Sequence, residues 1–109
     1  MRRDEMIAML KECCDAVYEG ITPTRSQNVY PRIVYWDFVW DANTASGAAY
    51  SYLNTYQISV FSTKPPRQNP VVLALRDGLY DKGVFPSINH EYNEEEHVWH
   101  SYLALEITE

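Results

Sequence analysis

The most regular pattern in the chain lies between Tyr50 and Phe61, where apolar and polar residues alternate. Aromatic and β-branched residues recur at every second position, with Asn54 as the one polar interruption. Small polar residues and Gln57 occupy most of the positions between them. Such alternation predicts a long strand that buries one of its two faces.

The residues that follow this strand predict a loop and a short helix. Proline cannot donate a hydrogen bond to a sheet, so Lys64-Pro65-Pro66-Arg67 ends the strand. Asn69 suits the N-cap position, and Pro70 suits the first helical position. One apolar stripe follows at helical spacing: Val72, Leu75 and Leu79. Gly83 then suits the left-handed residue that follows a helix.

Two more apolar patterns precede the alternating strand. A stripe at helical spacing predicts a first helix over residues 5–18, with Asp4 as its N-cap and Gly20 at its end. Residues 32–40 are apolar on both predicted faces. One face carries Val34, Trp36, Phe38 and Trp40, and the other carries Ile33, Tyr35 and Val39 and is interrupted by Asp37. This pattern predicts a strand that is covered on both sides, by helices and by a partner subunit.

Hairpins account for most of the remaining chain. Residues 41–49 are small or polar and predict a mobile, protruding loop that joins the two strands. Residues 87–92 and 97–108 predict a terminal hairpin, with its turn at residues 93–96. A weaker strand signal lies at residues 17–21. The predicted order is therefore α-β-β-α-β-β.

These elements predict an α+β fold in a single domain. The economical packing is an antiparallel sheet of about four strands with two helices packed on one face. A chain of 109 residues suits one domain over residues 1–109. Folding should bury roughly two thirds of the surface of the unfolded chain, which supports one modest core.

The charge distribution narrows the classes of function. A formal net charge of −6 argues against bulk or sequence-specific nucleic-acid binding. No apolar run reaches the length of a membrane span, and the N-terminus does not resemble a signal peptide.

The charges are unevenly distributed along the chain. Residues 84–109 contain acidic residues but no Lys or Arg. Basic residues cluster elsewhere: Arg2, Arg3, Arg25, Arg32, Lys64 and Arg67. One basic end and one acidic end would suit head-to-tail packing of identical subunits, although an ordinary solvated surface is the common alternative.

Candidate catalytic chemistry is sparse. A metal could be gathered by two histidines and three glutamates: His97, His100, Glu94, Glu95 and Glu96. Metal ligands must converge, so surface positions around a hairpin turn are the favoured interpretation. Asp37 could be a buried acid with a raised pKa, although such an acid more often pairs with an arginine or lies at an edge. The adjacent Cys13 and Cys14 indicate a reducing compartment. We predict no catalytic residue, no metal and no cofactor.

Four segments carry a family resemblance. They are Tyr18-Glu19-Gly20 at the end of the predicted helix, Y-P-R-I-V-Y-W-D-F from Tyr30, Y-S-Y-L-N-T-Y-Q-I-S-V-F-S from Tyr50, and E-Y-N-E-E-E-H-V-W-H-S-Y-L-A-L-E-I from Glu91. A short polar linker and a helix separate the last two. The order and the length of these segments extend over nearly the whole chain. In both respects the chain resembles the small tail terminator or tail completion proteins of long-tailed bacteriophages.

The resemblance implies a structural virion protein rather than an enzyme. It implies an α+β subunit that forms a homo-oligomeric ring, a hexamer, at the head-proximal end of the tail tube. Such a ring stops tube polymerisation and presents a surface to the head. The implied partners are therefore the tail tube protein and the head completion or connector protein, and the implied location is the virion tail.

Under this interpretation, the functional residues are those of subunit or partner interfaces. We predict these positions: Trp36, Trp40, Asn43, Ser46, Lys64, Arg67, Glu94, Glu95 and Glu96. The basic pair is expected to meet the acidic hairpin across a subunit boundary, or to face the tube and connector. One competing hypothesis is a small intracellular enzyme or ligand-binding α+β domain with a tyrosine-rich pocket around Asp37. A weaker one is a regulatory interaction module.

Overall fold

The computed structural model describes residues 1–45 and 48–108. Across these residues the chain forms two α-helices and five strands, joined by short 3-10 turns at Thr24–Ser26 and Pro66–Gln68. The elements in chain order are α1 (Arg3–Cys13), β1 (Val17–Glu19), β2 (Arg32–Ala45), β3 (Ala48–Ser62), α2 (Pro70–Asp81), β4 (Asn89–Asn93) and β5 (Val98–Thr108). The predicted α+β class is confirmed.

The strands form one sheet in the order β1-β2-β3-β5-β4. The strand β3, which the alternating pattern predicts, lies at the centre and pairs antiparallel with β2 and β5. The terminal hairpin of β4 and β5 is also confirmed. The prediction of about four strands omits β1, which pairs parallel with β2 at the edge of the sheet. Because β1 spans only Val17–Glu19, its ladder to a strand distant in sequence leaves little local signal.

The first helix begins slightly earlier than predicted. Arg2 occupies the N-cap position and its side chain makes no capping hydrogen bond, so the assignment of Asp4 as N-cap is wrong. Asp4 lies instead within the first turn, where its Oδ1 atom accepts a hydrogen bond from the Glu5 amide at 3.1 Å. A carboxylate in this turn interacts favourably with the positive end of the helix dipole.

The same helix ends well before the predicted boundary. It stops at Cys13, and Cys14 is already extended, with φ −154° and ψ 140°. The following residues gain ladder bonds instead, and the Ile33 amide donates to the Ala16 carbonyl at 2.8 Å. Gly20 has a φ of +78° and ends β1 rather than a helix. Tertiary pairing with β2 therefore overrides helical spacing after Cys13.

The second helix follows its sequence signals closely. The Asn69 Oδ1 atom accepts a hydrogen bond from the Val71 amide at 3.0 Å, and Pro70 is the first helical residue. Gly83 has a φ of +75°, and its amide donates to the Tyr80 carbonyl at 3.0 Å. The left-handed glycine thus satisfies a carbonyl that the end of the helix leaves free.

The core lies between the two helices and one face of the sheet, as predicted. The helices contribute Met6, Met9, Leu10, Val71, Val72, Leu75 and Leu79. The strands contribute Ile33, Tyr35, Tyr56, Ile58, Val60, Leu103, Leu105 and Ile107. No described helix packs on the other face, which we call the helix-free face. It carries Trp36, Gln57, Ser59 and Tyr102.

The predicted loop over residues 41–49 is wrong for most of its length. β2 continues to Ala45 and β3 begins at Ala48, while residues 46–47 lie outside the described part. An antiparallel ladder uses backbone groups alone, so small polar residues do not end it. Beyond the pair Asp41 and Leu53, the two strands pair with no further strand among the described residues. We call residues 42–45 and 48–52 the β-arm.

An extra residue interrupts β2 just before the β-arm. Asp37 opposes Tyr56 and Val39 opposes Thr55, so Phe38 has no residue opposite it and forms a β-bulge. A bulge shifts the alternation of side chains by one residue. The bulge lies at the point where β1 has already ended, so β2 has a free outer edge there.

The bulge corrects the predicted faces of β2. The expected common face was Val34, Trp36, Phe38 and Trp40. Before the bulge, Trp36 is paired with Gln57 and lies on the helix-free face. After the bulge, Trp40 is paired with Asn54, whose neighbours on the same face of β3 are buried core residues. Trp36 and Trp40 therefore lie on opposite faces of the sheet.

The central strand makes the fold sensitive to one buried side chain. Ile58 is 0% exposed and packs in the core. We expect Ile58→Ala to lower the free energy of unfolding by about 2–5 kcal/mol in chemical denaturation, because it leaves a cavity. Ile21 is 82% exposed, so the matched change Ile21→Ala should cost less than about 0.5 kcal/mol. Equal losses in the two variants would contradict the register of β3.

The cap of α2 should contribute measurably to stability. Asn69 is buried and its side chain supplies the hydrogen bond to the Val71 amide. We expect Asn69→Ala to cost about 0.5–2 kcal/mol in thermal or chemical denaturation. The control Asn69→Ser keeps an oxygen at the cap and should lose clearly less. A Ser variant as unstable as the Ala variant would mean that packing, rather than capping, explains the loss.

Candidate functional site

A shallow depression opens on the helix side of the sheet, where the β-arm begins. Its volume is about 670 Å³. Its lining residues come from β1, β2, β3, β5 and the N-terminal turn of α1: Arg2, Arg3, Asp4, Glu19, Asp37, Trp40, Tyr56 and Thr108. The first turn of α1, which begins at Arg3, forms one wall of the depression. It does not close the depression off from solvent. Acidic, basic and aromatic groups therefore meet in one accessible place.

Trp40 is the most exposed aromatic side chain of this depression. It is 76% exposed, and its indole Nε1 atom donates a hydrogen bond to Oδ2 of Asp37. The bulge at Phe38 makes this contact possible, since it brings Trp40 to the side on which Asp37 lies. A large aromatic ring held in one orientation loses little entropy when it binds a partner. Trp40 therefore presents an exposed ring whose indole N–H is held by Asp37.

Arg3 ties three elements together at the floor of the depression. Its Nη2 atom lies 2.7 Å from Oε2 of Glu19, and its Nε atom donates to the Tyr56 hydroxyl at 3.0 Å. The hydrogen bond that Arg3 donates to Glu19, and after it the one to Tyr56, raises the pKa of Arg3 above its ordinary value. Both charged side chains are partly exposed, so the ion pair contributes no more than about 1 kcal/mol. It serves to position the first turn of α1.

The hypothesis of a tyrosine-rich pocket around Asp37 receives limited support. Asp37 does line the depression, together with one tyrosine, Tyr56, among the residues whose side chains are described. Tyr35 packs near Tyr56, with 6.4 Å between the ring centroids, but both rings are buried in the core. Burial raises the pKa of the Tyr35 hydroxyl. The accessible chemistry near Asp37 is therefore that of Trp40, Arg3 and Glu19.

The other predicted interface residues lie away from this depression. Trp36 is half-buried on the helix-free face. Lys64 and Arg67 are exposed after β3, and Glu94, Glu95 and Glu96 are exposed in the turn between β4 and β5. The side chain of Asn43 and the whole of Ser46 lie outside the described residues. Among the predicted residues whose side chains are described, only Trp40 lines the candidate site.

The basic loop and the acidic turn lie at the same end of the sheet. Ser62, at the end of β3, pairs with Trp99, near the start of β5. The expectation of one basic and one acidic end is therefore wrong for these two groups. Arg67 borders a depression beside α2, whereas the three glutamates border one that includes Phe61 and His100. The charges are separated between the two faces of the sheet rather than between its ends.

A row of stacked side chains crosses the helix-free face at this end. The Arg32 guanidinium lies 4.8 Å from the ring centroids of both Tyr30 and Phe61. Phe61 stacks on His100 with 4.6 Å between centroids, and His100 lies 4.9 Å from Tyr102. Sequence reasoning missed this row, because only the pairing of Arg32 with Phe61 and of Phe61 with His100 reveals it.

His100 and His90 play separate roles and form no metal site. His90 Nδ1 lies 2.7 Å from the Ser101 hydroxyl, and Glu91 rather than His90 opposes His100. The Nε2 atom of His100 is buried and has no hydrogen-bond partner in the described part of the chain. Burial lowers the pKa of His100. Within residues 1–45 and 48–108, no cluster of three or more His, Cys, Asp or Glu side chains could hold a metal ion.

Comparison with known proteins adds no relative to this picture. No protein-family model matches the sequence, and no curated protein matches it. In the described part of the chain, no helix combines the length and the apolar character needed to cross a membrane.

The partly buried His100 ring should make stability depend on pH. Its pKa in the folded state lies below the ordinary value of about 6.5, so the unfolded state binds more protons just below that pH. Stability should therefore fall as the pH drops from about 7.5 to about 5.5. We expect His100→Phe, which keeps a stacked ring, to show a smaller loss over this range in chemical denaturation.

The exposed His97 provides the control for this measurement. His97→Gln should retain the pH dependence of the parent protein, since it leaves the His100 ring unchanged. If His100→Phe and the parent protein lose the same stability on acidification, the loss arises from groups other than His100.

Proposed function

We propose that this chain is the ring-forming subunit of a bacteriophage tail terminator. In this role it caps the head-proximal end of the tail tube as a hexamer, ends tube polymerisation and provides the surface for joining the head. Its partners are further copies of itself, the tail tube protein and a head completion or connector protein, all in the virion. The proposal rests on the resemblance of the sequence and on the shape of the subunit.

The observation that carries the proposal is the β-arm. A two-stranded ribbon is marginally stable in water when nothing packs against it. Residues 42–45 and 48–52 extend past the end of β5 at Thr108 and past the end of β1 at Glu19. A subunit that projects such a ribbon gains stability if a neighbouring molecule pairs with it or packs against it. A subunit of a larger assembly always has such a neighbouring molecule beside it.

The two tryptophans support contacts on both faces of the sheet. Trp40 presents an exposed ring at the base of the β-arm, on the helix side. Trp36 lies half-buried on the helix-free face, which no described helix covers. Buried aromatic anchors supply most of the affinity at protein interfaces. A ring subunit needs such anchors toward its neighbours and toward the tube or connector.

The charged residues have a secondary role in the proposal. Lys64, Arg67 and Glu94–Glu96 are exposed and flank one end of the sheet. Exposed charges at the rim of an interface mainly set the rate and orientation of association. We assign these residues to recognition of the tube or the connector, because they lie at the end opposite the β-arm.

One observation favours a second candidate function. The depression beside Trp40 places Asp37, Glu19 and Arg3 around an accessible cavity of about 670 Å³. Such a mixture suits a small ligand that carries both charge and an apolar face. A monomeric protein that binds such a ligand would represent the ligand-binding alternative. The state of association in solution separates the two functions.

The proposal predicts rings that depend on Trp40. Native mass spectrometry and electron microscopy should detect a closed ring, and addition of the protein should stop the growth of its cognate tail tubes. We expect Trp40→Ala to weaken assembly by about tenfold or more, since exposed aromatic anchors of this kind often contribute more than about 1.4 kcal/mol.

The matched control is an exposed aromatic residue that belongs to neither the β-arm nor the lining of the depression. Phe85 is 72% exposed and packs against Tyr80 of α2. Phe85→Ala should assemble like the parent protein. A parent protein that stays monomeric at every concentration, and that leaves tube growth unchanged, would overturn the proposed function.

A further inference from the structure

A second depression lies between α2 and the segment that leads into β4, on the helix side of the sheet. Its volume is about 420 Å³. One wall is the outer side of α2, where Leu73, Arg76 and Tyr80 recur at helical spacing beside the buried stripe of that helix. The opposite wall includes Ile88 and His90, just before and within β4. We call this depression the α2–β4 groove.

Most of the lining of the α2–β4 groove is apolar. Val72 is buried, and Leu73 and Ile88 are partly buried. Tyr80 is 45% exposed, and its ring packs against Phe85 with 5.2 Å between the ring centroids. An aromatic ring that is anchored in this way offers apolar surface to a ligand at little cost in side-chain entropy.

The charged part of the lining is entirely basic. Arg67, Arg76 and His90 border the groove, and no carboxylate of the described residues does. This sign is opposite to that of the whole chain, which has a formal net charge of −6. Four other depressions on the described surface each include at least one Asp or Glu side chain. Positive charge is therefore concentrated where the apolar lining is.

The two arginines are available to a ligand. Arg67 is exposed, and no described residue forms a hydrogen bond or an ion pair with its side chain. The Arg76 Nε atom lies 3.1 Å from Oδ1 of Asp77, which does not line the groove. Both side chains of this pair are partly exposed, and exposed pairs contribute little to stability. An anion in the groove can therefore compete with Asp77 for Arg76.

His90 adds a polar group to the β4 wall. Its Nδ1 atom lies 2.7 Å from the Ser101 hydroxyl, and no hydrogen bond within the described residues involves its Nε2 atom. The neighbouring Glu91 lies on the helix-free face, where it accepts a hydrogen bond from the Tyr102 hydroxyl at 3.0 Å. The carboxylate next to His90 in sequence is thus kept away from the groove.

We propose that the α2–β4 groove binds a small amphipathic anion. The apolar or aromatic body of the ligand packs on Val72 and Tyr80, and Arg67 and Arg76 hold its carboxylate, sulfonate or phosphate group. Arginine suits such groups because its planar guanidinium donates two parallel hydrogen bonds. Small-molecule sites have volumes of about 300–1,000 Å³ and combine an apolar lining with a few polar groups, as this groove does.

This inference goes beyond the proposed function and does not depend on it. The groove includes no residue of the β-arm, and it is separate from the depression beside Trp40, where acidic and basic groups occur together. Arg67 belongs both to the groove and to the surface assigned above to the tube or the connector. A bound anion therefore neutralises part of that surface.

The fluorescent anion anilinonaphthalene sulfonate is the probe for this site, since it joins an aromatic body to one sulfonate. We expect the folded parent protein to bind it saturably, and Arg76→Gln to weaken binding about tenfold through loss of a charge-assisted hydrogen bond. Arg25 is exposed and does not line the groove, so Arg25→Gln should bind like the parent. Neutral phenylnaphthylamine lacks the sulfonate, and Arg76→Gln should leave its binding unchanged.

The location of the bound probe separates the groove from other apolar surfaces. Amide chemical shifts should change most at residues 72–76 and 88–90 and little on the helix-free face. Both arginine variants should keep the circular dichroism spectrum of the parent, since neither side chain belongs to the core. Absence of saturable binding, largest shifts outside the groove, or normal binding by Arg76→Gln would each overturn the inference. None of these results bears on ring formation, which is measured separately.

Discussion

The pairing of β3 with strands on both sides determines most of this structure. Its buried face carries Tyr56, Ile58 and Val60, which form the floor on which both helices pack. Its hydrogen-bonded ladders to β2 and β5 fix the register of the strands on both sides of it. The stacked row on the helix-free face and the candidate depression are both products of this register. A shift by one residue would exchange the two faces and expose the core.

The parts of the fold that could be predicted are those with local signals. α2 is framed by Asn69, Pro70 and Gly83, each of which acts through its own backbone or side chain. β3 could be predicted because alternate residues from Asn54 to Ser62 are buried on one face of the sheet. The end of α1 was not predictable in this way, and β1 gave only the weak strand signal at residues 17–21. Both depend on a parallel ladder to Ile33, whose contribution outweighs the helical spacing that continues past Cys13.

The candidate site was predictable only in part, for a similar reason. Asp37 stands out in the sequence as a carboxylate on an apolar strand, and it does line the depression. Its contact with Trp40 depends on the bulge at Phe38, and a bulge is defined by the residues opposite it rather than by its own sequence. The location of the basic loop and the acidic turn at one end likewise follows from the pairing of Ser62 with Trp99.

The same ladders show how the edges of this sheet are protected from pairing with other chains. A sheet with two unguarded edges can add copies without limit, and most proteins guard such edges with charges, bulges or very short strands. Here β1 is short, β4 is exposed along its whole length, and a bulge interrupts β2. The unpaired stretches over residues 39–43 and 103–107 each carry an exposed charge, Asp41 and Glu106. Each described edge of this sheet therefore has at least one feature that opposes pairing with a further strand.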